Sequence, residues 1–515
     1  MKILLVGIYD TNSVSLAPQI LKAYSKQFAV SSYFDIVTRE FSIFRDSVSF
    51  MISEIEKEKP DIVGFSAYIW NINIILEIIP HLRSKIIIGG PQVTGIEEEL
   101  LNENPSIDII VTGEAEMVFK DLLEYFHGDR KLETIRGITT RSIKNLPSSD
   151  SILLSTMPLI YEGIFKSSPN LTWIAFETSR GCPMGCRYCT WGYSKKMRYF
   201  PLKRVLQELA VILKQKSIEW IYLCDSSILL NKKRAKSILQ YIISSGSGKT
   251  IRFEFKPEQF DDEIIDLMAQ LPNMEFNLGI QSTNPDALKC IGRKFNRDLF
   301  EENFKKIAGR FGESELTIDL IYGLPGDTYA GYKASMEYAL SLGNTKRILT
   351  NPLIILPGSE FYRNMHEYGI KLRDRKSYIV LETATFSQLD MELARRLSLF
   401  VAVVNLNYKF RNALRMMAEK NRLLHTDVIW DCLDSLPFDL MNGFCPDMVP
   451  SIKEDFEKRN SVFKKVIEQF DDIVNHFRSF SNSSFDEELE NYQQAYSEQY
   501  FKMKGFIDNE NNKTN

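Results

Sequence analysis

From Lys2 to about residue 145, short apolar runs alternate with stretches in which apolar residues recur every three or four positions. The runs "KILLVGI", "DIVGFSA", "KIIIGG" and "IDIIVTG" are rich in branched side chains and are punctuated by glycine, which predicts buried strands separated by helices. Strands alternating with helices predict a parallel, doubly wound sheet, and in such sheets ligands sit beyond the carboxyl ends of the strands. Polar and glycine-rich residues collect at those ends: residues 11–13, Ser66 and Tyr68, Gly89, Gly90 and Gln92, then Gly113 and Glu114. No G-x-G-x-x-G follows the first strand, which argues against a nicotinamide or flavin dinucleotide.

Residues 146–170, "LPSSDSILLSTMPLIYEGIFKSSPN", hold no sustained period and many Ser and Pro, so they read as a connecting strap. A second alternating series begins at once, with strands expected at "TWIAFETS", "EWIYLCD", "IRFEFK", "MEFNLGIQS", "LTIDLIYG" and "RILTNPLIIL" and helices such as Leu202–Lys214 and 330–342 between them. Six βα units in a row predict a full or partial barrel with its chemistry at the C-terminal strand ends. After about residue 388 the apolar spacing turns helical in "ELARRLSLFVAVVNLNYKFRNALRMM" and "FEKRNSVFKKVIEQFDDIVNHF". The expected class is therefore α/β, with a doubly wound parallel-sheet domain over 1–145, a linker over 146–170, a (β/α)6 partial barrel over 171–388, a helical C-terminal region over 389–505 and a disordered tail over 506–515.

Composition changes this picture little. A length of 515 residues suits about three domains and an apolar fraction of 44% suits a soluble globular chain. The net charge of −4, from 63 basic and 67 acidic residues, gives no general reason to expect nucleic acid or an anionic membrane as partner. No run of 18 apolar residues predicts a membrane span, and "MKILLVGIYDTNS" reads as a buried strand rather than a signal peptide. Seven cysteines, three of them crowded together and the others at 224, 290, 432 and 445, do not form a disulfide framework, and a reducing cytoplasm is the expected compartment.

The chemistry concentrates in "RGCPMGCRYCTWG", where Cys182, Cys186 and Cys189 fall within eight positions. Gly181, Pro183 and Gly185 argue against a helix there, so the three thiols sit on a loop after the first barrel strand. A structural zinc site wants a fourth ligand, yet the next cysteine is Cys224 and no histidine lies between His127 and His366. Three thiolates with this spacing suit an iron–sulfur cluster better, because a [4Fe-4S] cube held by three cysteines keeps one iron open. With Tyr188 before the last cysteine, the motif resembles the radical S-adenosylmethionine (SAM) superfamily. The resemblance implies that Cys182, Cys186 and Cys189 are the metal ligands and that SAM chelates the open iron, is cleaved there and yields a 5′-deoxyadenosyl radical. It also implies SAM contacts near Tyr188, near Asp225 in "LCDSSILLN", near Gln281 and Ser282 in "LGIQSTNPDAL", and near Asp319 and Gly323 in "DLIYGLPGDT". In "LCDSSILLN" the usual Gly-Gly-Glu is absent. Lys256 and Glu258 of "FEFKPEQF" read either as ribose or carboxylate contacts or as structural charges at a strand end.

Ahead of that core, "GFSAYIWN", "IIIGGPQVTG" and "VTGEAEMVFKDLL" resemble the cobalamin-binding domain of the cobalamin-dependent radical SAM family, over about residues 1–390 together with the core. Glycines at the strand ends (Gly89, Gly90, Gly113) let backbone approach a macrocycle closely, and Ser66 and Thr94 are placed to hydrogen-bond a nucleotide tail. Tyr68, Gln92 and Glu114 join them as expected cofactor contacts, whereas Trp70 reads as packing. The place of Asp-x-His-x-x-Gly reads "YDTNSVSLAP", so no axial imidazole is offered.

The expected function is a cobalamin-dependent radical SAM enzyme that methylates an unactivated carbon, with a [4Fe-4S] cluster, SAM and cobalamin as cofactors, using methylcobalamin and the 5′-deoxyadenosyl radical. Its partners would be a small-molecule or peptide substrate and an electron donor such as flavodoxin or ferredoxin. The rivals are a cobalamin-dependent rearrangement, cyclisation or oxidation without methyl transfer, and a zinc-stabilised scaffold or cobalamin carrier. An RNA methylthiotransferase would want a second cluster in its N-terminal domain, and no cysteine precedes Cys182. The scattered histidines 81, 127, 366, 425 and 476 nominate no general acid or base.

Overall fold

The structure is a computed structural model that describes residues 1–405, apart from 10–11, 149–151, 192–193, 272, 312–315, 344 and 346, and beyond them residues 418, 422–427 and 429. Two six-stranded sheets organise it.

The front sheet runs in the order Asp35–Ser42, Lys2–Tyr9, Ile62–Ser66, Lys85–Gly89, Ile109–Val111, Ile138–Thr139, with the first five parallel and the last antiparallel. Its central strands are buried on both faces, which is why they read as unbroken apolar runs. One face packs Leu4, Val6, Val63 and Ile88 with the helices Val48–Lys57 and Ile72–Ile78; the other packs Ile3, Leu5, Ile62 and Ile87 with Ala115–His127. The strand Asp35–Ser42, "DIVTREFS", was not expected: as an edge strand it is only half-buried, so its polar residues hide the strand pattern. Strand order reverses beside Lys2–Tyr9, so the switch point, where ligands of such sheets sit, falls at the carboxyl ends of Lys2–Tyr9 and Ile62–Ser66.

The second sheet takes its strands in sequence order, Trp173–Phe176, Trp220–Leu223, Thr250–Phe255, Asn273–Gln281, Leu316–Tyr322 and Arg347–Pro352, all parallel. It is the expected partial barrel, with the first and sixth strands as edges. Along Thr250–Phe255, Ile251, Phe253 and Phe255 are buried and alternate with the half-buried Thr250, Arg252 and Glu254. Phe253, Phe255, Phe276, Leu278 and Ile318 fill a core shared with residues of the surrounding helices, such as Leu209, Ile212 and Ile238. The alternate positions line a polar lumen.

Residues 146–170 are not a bare strap. They include the helix Tyr161–Ser167, whose Tyr161, Ile164 and Phe165 join the barrel core. Glu208 of the helix Leu202–Lys214 accepts from the Ile160 N–H at 2.7 Å and so satisfies a donor at that helix start. Beyond the barrel, the helix Gln388–Asn405 covers the described part of the first expected C-terminal helix, whose remainder lies outside the described residues, and Ser398 on it shares a 2.7 Å hydrogen bond with the Tyr332 hydroxyl. The second expected helix and the tail lie outside the described residues. Among the described residues no helix is long and apolar enough to cross a membrane.

Candidate active site

The cysteine loop leaves the first barrel strand through Arg180, whose guanidinium reaches Glu116 at 2.8 Å, Glu177 at 3.0 Å and Glu114 at 3.3 Å. Arg198, paired with Arg180 across the ribbon Ser179–Arg180 and Arg198–Tyr199, also binds Glu114 and donates to the Ile152 carbonyl at 3.1 Å. Two guanidiniums and three carboxylates thus clamp the base of the loop to the front domain. Burial pushes the Glu177 carboxyl up. For Glu114 burial works the same way, but Arg198 and Arg180 outweigh it and hold the carboxyl below its ordinary range. Glu114 is therefore placed inside an interdomain ion cluster, not open on a cofactor shelf.

The loop itself is not helical. Gly181 has φ +100°, and a Cβ there would stand 2.4 Å from the Lys196 carbonyl, so only glycine fits the turn. Cys182 N–H donates to the Ser194 carbonyl at 3.0 Å, and Cys189 N–H to the Cys186 carbonyl at 3.1 Å. Arg187, between the last two cysteines, points away from them: its side chain donates to the Cys290 carbonyl at 2.8 Å and pairs with Glu360 at 3.0 Å. The loop is thereby pinned to the far side of the barrel mouth.

Cys189 is open to solvent on one side, while the protein behind it desolvates the thiol and, with Cys186 and Cys182 nearby, pushes its pKa up to about 11. The Trp191 N–H lies 3.4 Å from its sulfur. Tyr188 is enclosed beside Cys186, with its phenol pKa raised chiefly by burial. Lys256 and Arg293 face the same loop: burial, then Arg293, lowers the Lys256 pKa, while Cys186 and Cys182 act to raise it. Among the described residues no three His, Cys, Asp or Glu side chains are gathered tightly enough to hold a single metal ion, so the zinc alternative finds no preformed set there. A cube spreads its ligands over separate corners. Three electrostatically coupled thiols with two cations alongside fit that larger group: the cations would offset the net negative charge of the thiolate-ligated cube, and its iron ions would draw off the thiol protons.

Cys224 follows the second barrel strand beside Asp225, where its thiol donates to the Tyr222 carbonyl at 3.7 Å and burial, with Glu177 and Asp225 adding to it, raises its pKa. Asp225 is buried and turned back on the first strand end, where it accepts from Thr178 N–H at 3.2 Å, from the Thr178 hydroxyl at 2.9 Å and from Ser179. Burial raises its carboxyl to about 6 despite those donors. Gln281 ends the fourth strand in the left-handed region at φ +71°, beside a register shift between Gly279 and Gln281. Such a conformation in a non-glycine residue costs about 1–3 kcal/mol and clusters at ligand sites. Ser282, by contrast, is fully buried and donates to Asp327 at 3.0 Å, so it ties two turns together behind the lumen. Glu258 keeps Oε2 buried without a partner.

At the carboxyl edge of the front sheet, Asn71 donates to the Ile8 and Ser66 carbonyls and accepts from Tyr68 N–H, fixing the turn after Ile62–Ser66. Tyr68 stacks on Trp70 with ring centroids 4.5 Å apart, Trp70 meets Tyr9 at 5.5 Å, and Tyr9 meets Trp173 of the barrel at 5.3 Å. Tyr68 is hydrogen-bonded to Ser66 and lies within electrostatic reach of Cys224, Glu177 and Arg180. This edge of the front domain therefore faces the barrel mouth. Gly90 packs against Ala67, Gly89 and Gly113 lie against Val111 and Pro147, the Thr94 hydroxyl donates to the Gly90 carbonyl, and Gln92 is buried against Tyr378. Ser13 Oγ and Trp70 Nε1 are buried with no partner. Orphaned polar atoms along a crevice are what a macrocycle with a polar fringe would satisfy, so the edge fits cobalamin.

Arg180, Arg198, Glu116, Glu177 and Arg293 carry no assigned role in the sequence reading. Arg180 had a signal, lying directly before the cysteine motif; Arg293 had none, because its nearness to the loop arises only through the fold.

A family model for the B12 binding domain matches residues 35–123, and one for the Radical SAM superfamily matches residues 176–339. The chain is 27% identical over 304 residues to a protein of Pyrococcus horikoshii named uncharacterized methyltransferase PH0819, covering 56% of this chain and 66% of that one. It is 22% identical over 419 residues to the cobalamin-dependent radical SAM methyltransferase TokK of Streptomyces tokunonensis, covering 73% of this chain and 59% of that one. The chain thus spans roughly three fifths to two thirds of the length of these relatives. Its fold resembles that of the cobalamin-dependent SAM radical enzyme OxsB with aqua-cobalamin bound, at a TM-score of 0.63 and 14% identity over 96% of this chain and 84% of that one. The two matched domains bring a [4Fe-4S] cluster, SAM and cobalamin as cofactors. The chain thus carries a B12 binding domain followed by a radical SAM domain, the two meeting at one mouth, and over them it is similar to cobalamin-dependent radical SAM methyltransferases.

Proposed function

We propose that the chain is a C-methyltransferase that acts on an unactivated carbon of a small-molecule or peptide substrate. The carrying observation is the meeting of the two cofactor edges, with Tyr68 of the front sheet in reach of Glu177, Arg180 and Cys224 at the barrel mouth. When bound, the cluster with SAM supplies hydrogen-atom abstraction, and cobalamin supplies methyl transfer. The protein's task is to hold both against one substrate carbon and keep water out. The methyltransferase names of the relatives support methyl transfer as the outcome.

In this reading Cys182, Cys186 and Cys189 ligate the cluster, and Arg180 holds their loop at a fixed distance from the front domain. Lys256 and Arg293 offset the negative charge of cluster and carboxylate. Tyr188 and Gln281 border SAM, and Asp225 shapes the strand end from behind. Ser66, Tyr68, Gly89, Gly90, Gln92 and Gly113 form the cobalamin side. The domain division at 145 and 171, a cytoplasmic setting and reduction by a flavodoxin or ferredoxin belong to the same reading. Anaerobic incubation with SAM, reductant and substrate tests it. Methylation releases S-adenosylhomocysteine together with 5′-deoxyadenosine and adds CH2 to the product, whereas 5′-deoxyadenosine without S-adenosylhomocysteine would show rearrangement, cyclisation or oxidation instead.

A further inference from the structure

The lumen below the cysteine loop holds more hydrogen-bond acceptors than the donors around it satisfy. Glu254 lies two residues before Lys256 on the same strand face, roughly 7 Å deeper in the barrel. Asn277 pairs in register with Glu254 on the next strand, so both side chains project into the lumen. Asp319 pairs with Gly279 on the strand after that; burial raises the Glu254 pKa, and Asp319 lies close enough to add to it by repulsion.

Each has spare acceptor capacity. Asn277 is only 5% exposed, and its Oδ1 has no partner. The Asp319 carboxylate feels Arg252, Arg347 and Arg293 only through their charge and accepts no hydrogen bond among the described residues. Glu254 has the Tyr222 hydroxyl at a long 3.4 Å and Arg252 at 4.0 Å. The neighbouring guanidiniums spend themselves elsewhere: Arg252 lies over the Tyr222 ring, Arg347 donates to Thr317 at 3.3 Å and Arg293 donates to the Gly279 carbonyl. Even Arg252 Nε finds no acceptor. The cations make the carboxylates tolerable in the lumen but donate no hydrogen bond to them, which leaves the long Tyr222 contact of Glu254 as their one donor among the described residues.

We propose that Glu254, Asp319 and Asn277 Oδ1 bind a protonated primary amine of the substrate. Donor count decides the chemistry: an ammonium fans out three N–H groups and accepts nothing, matching three acceptors, whereas a hydroxyl offers one donor and brings lone pairs of its own. A cation also relieves the repulsion between the two carboxylates, which a neutral group does not. The amine would anchor the substrate below SAM, leaving the remainder of the molecule to present its carbon at the mouth. This inference rests on the methyltransferase reading above and adds the substrate's charge to it.

The test is calorimetric titration of anaerobically reconstituted full-length protein with phenethylamine and, separately, with 2-phenylethanol, which matches it in size but lacks the charge. The amine is expected to bind at least tenfold more tightly, and Glu254→Gln and Asn277→Leu are each expected to reduce that preference at least fivefold. Equal binding of amine and alcohol to the unmodified protein, or a preference that survives both substitutions, overturns the proposal. Should either variant fail to fold, the matched probes on the unmodified protein decide alone. The same preparation is checked for cluster absorbance and SAM cleavage: if both are present without amine preference, only the amine site fails, and if both are missing, the methyltransferase reading itself fails.

Discussion

Two adjacent glycines, Gly89 and Gly90, look alike in the sequence and differ in the fold. A Cβ on Gly90, at φ +121°, would stand 2.4 Å from the Ala67 carbonyl, while one on Gly89 would meet Val111 at an ordinary 3.5 Å. Gly90→Ala should therefore destabilise the cofactor-free protein by about 1–3 kcal/mol, and Gly89→Ala by less than about 0.5 kcal/mol, in denaturant titrations. Glu40 was invisible in the sequence because it lies on the unexpected edge strand. It is wedged above Gly7 and accepts from Ser15 N–H at 3.1 Å and Gln19 at 3.2 Å, and burial raises its carboxyl from 4.5 to about 7. A carboxyl that binds its proton more tightly when folded stabilises below its unfolded pKa, and that stabilisation is lost as pH rises from about 4.5 through about 7. Asp225, Glu254 and Asp319, raised in the same sense, share the slope. Glu40→Gln should flatten part of the fall in melting temperature between pH 5 and 7.5; an unchanged slope would mean that the Glu40 carboxyl is ionised throughout. At this scale the three cysteines were legible because their spacing is local, whereas Asn277 and Arg293 acquire their meaning only from segments that are distant in the chain.

Among the elements, the ribbon that carries Arg180 and Arg198 matters more than its two-residue strands suggest. Removing Arg180 leaves Glu116, whose side chain is 6% exposed, and Glu177 without their main counter-charge. Arg180→Met is expected to cost about 3–5 kcal/mol and to lower cluster occupancy after reconstitution, because breaking a buried pair strands the remaining charge. Arg180→Lys should recover only part of that loss, since one ammonium cannot span three carboxylates as a guanidinium fork does. Full recovery by lysine would reduce the clamp to a simple charge effect. The barrel strands Thr250–Phe255 and Asn273–Gln281 were readable because each alternates apolar residues with polar ones or glycine. The edge strand Asp35–Ser42 and the helix Tyr161–Ser167 were not, the first for its mixed polarity and the second for its shortness among prolines and serines.

For the whole molecule, the order of a doubly wound sheet followed by six βα units was written in the periodicity, and the family resemblance named its cofactors. How the two halves meet was not: the ladder Tyr68, Trp70, Tyr9, Trp173 joins residues more than a hundred positions apart, and the ion cluster joins residues 66 and 84 positions apart. That junction is what makes the joint use of two cofactors physically reasonable. Its foundation is a site-differentiated cluster on Cys182, Cys186 and Cys189, and electron paramagnetic resonance of the anaerobically reconstituted, dithionite-reduced protein tests it most directly. The account predicts one [4Fe-4S]+ signal per chain, with g-values that move when SAM is added, and no such signal after Cys186→Ser. A reduced protein without that signal, or a signal indifferent both to SAM and to loss of Cys186, would contradict it.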